Sequence, residues 1–124
     1  MNDHKGAFQA ILTQLRDIFD SSEQGMYLYL DDENKECNGK FASMLGYGSA
    51  EEWAAVEENF PTAFVAEGSQ DELVQKYQEA MQKATGSSFD VEWKKKTSGT
   101  IKANVILIPV AYEGHRMALH FVTA

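Results

Sequence analysis

Residues 37–47 read CNGKFASMLGY, and they decide the fold. An asparagine stands in front of five apolar side chains, and the stretch closes on Gly46-Tyr47. Asn38 is a good helix N-cap, because its side chain can accept a free amide of the first turn, and Gly46 is a good stop. The helix between them is too short to persist alone in water. It therefore has to be packed onto something else in the chain.

Working outward, two more short helical pieces follow. SAEEW places Ser49 three residues before Glu52, the spacing of a capping box, and FPTAF sets Pro61 near the start of a further turn. A second capping box, Ser69 to Glu72, is expected to launch the longest internal helix. Its Leu73, Val74, Tyr77, Ala80, Met81 and Ala84 form one stripe, and Gly86 is expected to end it. From residue 87 the period becomes two: Phe89, Val91 and Trp93 alternate with Asp90, Glu92 and Lys94. Ser98-Gly99 and Glu113-Gly114 mark turns, with TIKANVILIPVAY between them and HRMALHFVT after. Val105 and Leu107 face one way in the central strand, and Ile106, Ile108 and Val110 the other, so both faces require a cover.

Upstream, Phe8, Ile11, Leu12, Leu15, Ile18 and Phe19 make an amphipathic helix over residues 7–19. GMYLYLDD reads as a strand with apolar and aromatic residues on both faces, and KEC as a short second one.

Composition bounds the function. The 124 residues hold one domain's worth of core, with 44% apolar and 24% charged residues. A net charge of −8 disfavours a nucleic-acid partner, which needs a basic face. The one basic run, Lys94-Lys95-Lys96, reads as a solvated strand end, with an acidic partner as the alternative. Cys37 has no second cysteine to pair with, which fits a reducing compartment. No stretch has the length and apolarity of a membrane span or a signal-peptide core, so the expected location is cytoplasmic. No nucleophile–base pair, phosphate loop or metal spacing is visible. His115 and His120 lie five apart on one strand and project to opposite faces, so they cannot chelate together. His115 reads as a turn residue and His120 as a structural histidine, with a ligand contact as its alternative.

This element order resembles the PAS domain family. The match rests on Asn38, Phe41, Leu45, Gly46 and Tyr47 for the family's asparagine-led short helix, with SAEEW as the next helix. SQDELVQKYQEAM is similar to its connecting helix, and Glu92 and Gly99 mark its Glu-bearing strand and the turn beyond. The likeness spans roughly residues 20–123, with departures: Asn34 where the family often has Gly, a first hairpin turn about two residues shorter, and no Pro before the connecting helix. The fold implied is α+β: a PAS-like five-stranded antiparallel sheet with short helices on one face and an N-terminal amphipathic helix. Residues 1–20 are then a capping and dimerisation helix, and 21–124 the sensory domain.

The resemblance also implies cofactor tests. Haem-binding members of the oxygen-sensor type use a histidine on the connecting helix, and residues 70–84 contain none. Flavin photosensors use a cysteine after the short helices, and ENFPTAFVAEG has none. Neither cofactor is expected, and Cys37 reads as a small buried residue. Phe41, Met44, Phe60, Phe64, Tyr77, Met81 and Trp93 are either plain core or the lining of a small-molecule pocket. The leading expectation is a non-catalytic input module of signal transduction, acting on a signalling effector domain or protein. In it the stripe from Phe8 to Phe19 covers the outer sheet face and mediates a homodimer; folding back as a monomer is the alternative. A metabolite-binding sensor is the second reading. A small isomerase-like enzyme is the third, disfavoured because Asp90 and Glu92 lie on a polar strand face.

Overall fold

The computed structural model describes residues 4–124. The chain runs α1 (His4–Ser21), β1 (Gly25–Tyr29), β2 (Lys35–Cys37), α2 (Gly39–Met44), α3 (Ala50–Ala54), α4 (Phe60–Phe64), α5 (Glu67–Lys83), β3 (Ser87–Lys94), β4 (Thr100–Tyr112) and β5 (His115–Thr123). The strands form one antiparallel sheet in the order β2-β1-β5-β4-β3. The C-terminal strand is thus central, between β1 and β4. Tyr27 pairs with His120, and Leu107 pairs with His120 from the other side. These three residues share the inner face, which the four later helices cover.

Each short helix is started by a side chain. The Asn38 side chain accepts from the Phe41 amide, that of Ser49 from Glu52, and that of Asn59 from Thr62. The box at α3 closes one residue early: the Glu52 carboxylate accepts from the Gly48 amide, not from Ser49. The expected box at α5 does not form. That helix begins at Glu67 behind Ala66, with no side-chain cap. Ser69 instead accepts from the Glu92 amide, and the Gln70 amide donates to the Pro61 and Val65 carbonyls, tying α5 to β3 and α4. At the far end Ala84, not Gly86, takes the left-handed turn, at φ 54°. Gly86 is needed for proximity: a Cβ there would stand 3.0 Å from the Leu107 carbonyl oxygen. Gly99 and Gly114 turn their hairpins at φ 85°. Asn34 takes no left-handed conformation; its amides and Asp31 lock the short β1–β2 turn.

Two apolar clusters result, one on each sheet face. On the outer face α1 packs across β1 and β5 of its own chain. Phe8, Ile11, Leu12 and Phe19 are buried there with Met26, Leu28, Met117 and Leu119. The cover is incomplete. Leu15 is half-buried, and Ile18, Ile106 and Ile108 remain 48%, 41% and 40% exposed. No described helix is long and apolar enough to cross a membrane.

Candidate functional site

The inner face is aromatic, and Tyr27 is its centre. Its ring lies 3.8 Å from that of His120, 4.9 Å from Phe41, 5.3 Å from Phe60, 5.7 Å from Trp93 and 5.9 Å from Trp53, centroid to centroid. The rings come from three strands and three helices, so the short helices are held by edge and stacked contacts to one strand residue.

Asn38 does more than cap. Its Oδ1 also accepts from the Met26 amide, while Nδ2 donates to the Gln24 and Phe19 carbonyls. One buried amide therefore ties α2, β1 and the end of α1 together. Lys35 plays a like part at the other end. It is 3% exposed, its ammonium donates to the carbonyls of Val56, Asp32 and Ala54, and it sits 5.7 Å over the Trp53 ring. Burial lowers its pKa, and Asp32, Glu36 and Asp31 pull the other way.

Beside the aromatic cluster lies a cleft of about 250 Å³. Tyr27, Tyr29 and His120 line it from the sheet, Phe60 and Pro61 from α4, and Leu73, Val74, Tyr77 and Gln78 from α5. Two wall hydroxyls are committed to the β1–β2 turn: Tyr29 donates to Asp32 at 2.8 Å, and Tyr77 to the Leu30 carbonyl at 3.1 Å. Asp32 Oδ1 also accepts from the Phe60 amide, so one carboxylate holds both the Tyr29 side and the α4 side of the cleft. Burial raises the pKa of both tyrosines, and the Asp31 and Asp32 charges raise it further. Burial drives His120 down to about 3, against the backbone of Tyr27 and Ala118, so the imidazole is neutral at ordinary pH.

Of the seven residues proposed for a pocket, the structure sets Phe60 and Tyr77 in the cleft wall. Phe41, Phe64 and Trp93 lie within the aromatic core, with Met44 and Met81 packed half-buried against it. Tyr27, Tyr29, Pro61, Leu73, Val74 and Gln78 also line it without having been proposed for it, and so does His120, for which a ligand contact is the alternative reading. The period-two placing of Tyr27 and Tyr29 was the available signal. That β5 would lie against β1, bringing His120 to Tyr27, had no local one.

The other expected features are used structurally. Lys94 donates to the Thr62 carbonyl at 2.6 Å and Lys96 pairs with Glu52 at 2.9 Å, so two members of the basic run clamp β3 to the helical layer. Cys37 is buried, which pushes its thiol up to about 12. Asp90 accepts from Asn104 and Glu92 from the Thr100 hydroxyl. Among the described residues, no group of three or more His, Cys, Asp or Glu is placed to hold a metal ion.

A helical layer on the inner face of a five-stranded antiparallel sheet, with strand order 2-1-5-4-3, defines the class of fold. The family model described as PAS domain matches residues 13–78, more than half of the sequence, and the chain belongs to that family. Among solved structures, it is similar to a PAS domain from a two-component sensor histidine kinase (11% identity, covering 92% of this chain and 96% of that one, TM-score 0.66). It is also similar to a PAS domain of a Colwellia psychrerythraea protein (16% identity, 90% and 94%, TM-score 0.71). A third is a Rhodobacter sphaeroides LOV protein (16% identity, 92% and 66%, TM-score 0.69). At these identities the likeness is one of fold. No curated protein matches the sequence.

Proposed function

We propose that this PAS domain is a non-catalytic sensory and protein-interaction module, an input domain of signal transduction that works as a cytoplasmic homodimer and passes its state to an effector domain or protein. The observation that carries the reading is the open strip on the outer sheet face. Ile18, Ile106 and Ile108 are exposed beside half-buried Leu15, Val110, Tyr112 and Phe121. Large apolar side chains left uncovered on one sheet face mark an interface. In this reading residues 1–20 are the capping and dimerising element, with residues 1–3 outside the described ones, and 21–124 the sensory domain. The dimer surface is redrawn from the sequence-based one. Phe8, Ile11, Leu12 and Phe19 are spent on their own sheet, so Leu15, Ile18 and β4 carry the contact.

Sedimentation of the full chain at high micromolar concentration tests this. A dimer is expected, with Ile106→Glu/Ile108→Glu monomeric; a monomeric wild type would sink the dimer.

The cleft favours a second reading, in which the domain holds a small organic molecule as its signal. Its 250 Å³ is small for haem or flavin. The purified protein is expected to be colourless, and a Soret band or a flavin doublet at near-stoichiometric level would overturn that.

A further inference from the structure

Two polar atoms beside the cleft are left unused by the packing. Tyr27 and His120, 1% and 2% exposed, stand in its wall on paired strands with their rings stacked. Neither the Tyr27 hydroxyl nor His120 Nδ1 has a hydrogen-bond partner. Buried polar groups almost always have one. Trp53 Nε1, Trp93 Nε1 and Ser87 Oγ lack one too, but only Tyr27 and His120 among these residues line the cleft, and there they mark a place for a group from outside the chain. The hydroxyls of Tyr29 and Tyr77, by contrast, are engaged and hold their rings in place.

We propose that the cleft takes a compact, uncharged aromatic molecule of one or two rings, whose hydroxyl, carbonyl or ring nitrogen pairs with Tyr27 and His120. The proposal rests on the small-molecule reading above and names its ligand class. Size comes from the volume: a dry protein cavity of about 150 Å³ holds benzene, so 250 Å³ holds one ring with substituents or two fused rings. Ring character comes from the wall, where Phe60, Tyr29 and Tyr77 offer faces and edges to a flat guest. Neutrality comes from the electrostatics. No wall residue carries a charge, since the imidazole is neutral, so an ion would lose its hydration without a counter-charge. The nearby Asp31 and Asp32 act further against an anion. A neutral imidazole nitrogen donates or accepts according to tautomer, and the tyrosine hydroxyl does both, so either polarity of guest can be matched.

Calorimetric or NMR titration of the full chain with four probes of similar size tests this: phenol, toluene, benzoate and benzylammonium. Phenol is expected to bind about 5-fold or more tighter than toluene and at least about 10-fold tighter than either ion. Tyr27→Phe keeps the ring and should weaken phenol about 5- to 10-fold while leaving toluene unchanged. Val74→Trp fills the cleft from α5 without touching either polar residue, and should abolish phenol binding. Saturable binding in which an ion matches phenol, or toluene equals it, overturns the ligand class and leaves the small-molecule reading standing. Phenol binding that survives Val74→Trp places the guest elsewhere and overturns the assignment to this cleft. If no probe saturates, the ligand class is overturned, and the small-molecule reading is then decided by native mass spectrometry of the freshly purified protein, where the bare chain mass alone would overturn it.

Discussion

The inner face of the sheet meets four helices and is closed except at the cleft: Tyr27, Phe41, Trp53 and Trp93 are each 1% exposed or less. The outer face meets one helix, which shields β1 and β5 and stops short of Ile106 and Ile108. The covers differ in kind as well as extent. Three inner helices of five or six residues could not persist alone, and each starts on a side-chain acceptor and is anchored by rings. The 18-residue α1 is long enough to carry several turns of its own and contributes one apolar stripe. Stability is therefore concentrated on the inner side, and spare apolar surface, the raw material of association, on the outer.

Breaking the inner cluster should have the largest effect. Phe41→Ala removes a fully buried ring that touches Tyr27, Trp53 and Trp93, and should cost about 3–5 kcal/mol in urea unfolding. A loss below about 1 kcal/mol would mean that the cluster is loosely packed.

Next comes Asn38. A cap alone would lose roughly 0.5–2 kcal/mol on Asn38→Ala, and Asp would replace it well. The hub geometry changes both expectations. Alanine strands the Met26 amide and the Phe19 carbonyl as well, and leaves the Gln24 carbonyl only the Ser22 hydroxyl, so the loss should reach about 3 kcal/mol. Asn38→Asp should be no milder at neutral pH, because it turns a carboxylate toward the Gln24 and Phe19 carbonyls. It should recover as the pH falls and the carboxyl gains a proton to donate. An Asp variant as stable as wild type at pH 7 would reduce Asn38 to a simple cap.

His120 tests how dry the inner face is. Its pKa is about 3 folded, against about 6.5 unfolded, so between these values the unfolded chain binds more protons. Stability from its neutrality is complete above pH 6.5 and is lost as the pH falls toward 3. The slope is up to about 1.4 kcal/mol per pH unit. His120→Phe should flatten that part of the urea-midpoint profile. An unchanged profile would mean that His120 reaches water.

The smallest effect on stability belongs to the outer strip. Ile106→Glu/Ile108→Glu should change monomer stability by less than about 1 kcal/mol per site, because the two residues are already 41% and 40% exposed. Leu12→Glu sharpens the contrast. A stripe used only for association would let it give a folded monomer, but at 2% exposure it should unfold the outer cluster instead. A stable, folded Leu12→Glu chain would show that α1 does not rest on its own sheet.

Much of this was legible in the residues alone. Periodicity places α1, α5 and the three C-terminal strands, because burying one face imposes a repeat on the chain itself. Local cap chemistry places α2, α3 and α4, since Asn38, Ser49 and Pro61 act within four residues of themselves. The α5 start shows where local reading stops. Ser69 and Glu72 have the spacing of a capping box, but Ser69 finds a better partner in the Glu92 amide, 23 residues away. The cleft shows the same limit more sharply. Phe60 and Tyr77 were within reach as apolar residues on helices, whereas Tyr27 and His120 meet only because β5 inserts between β1 and β4. The sequence by itself determined the elements, their order and the need for a cover on each sheet face, since those follow from propensity and amphipathicity over short spans. Tertiary structure alone decided that α1 covers two strands and leaves a third bare, that Asn38 serves three elements, and that a tyrosine and a histidine 93 positions apart stack beside one cleft. Those outcomes depend on strand order and register, which long-range pairing sets and no local pattern records.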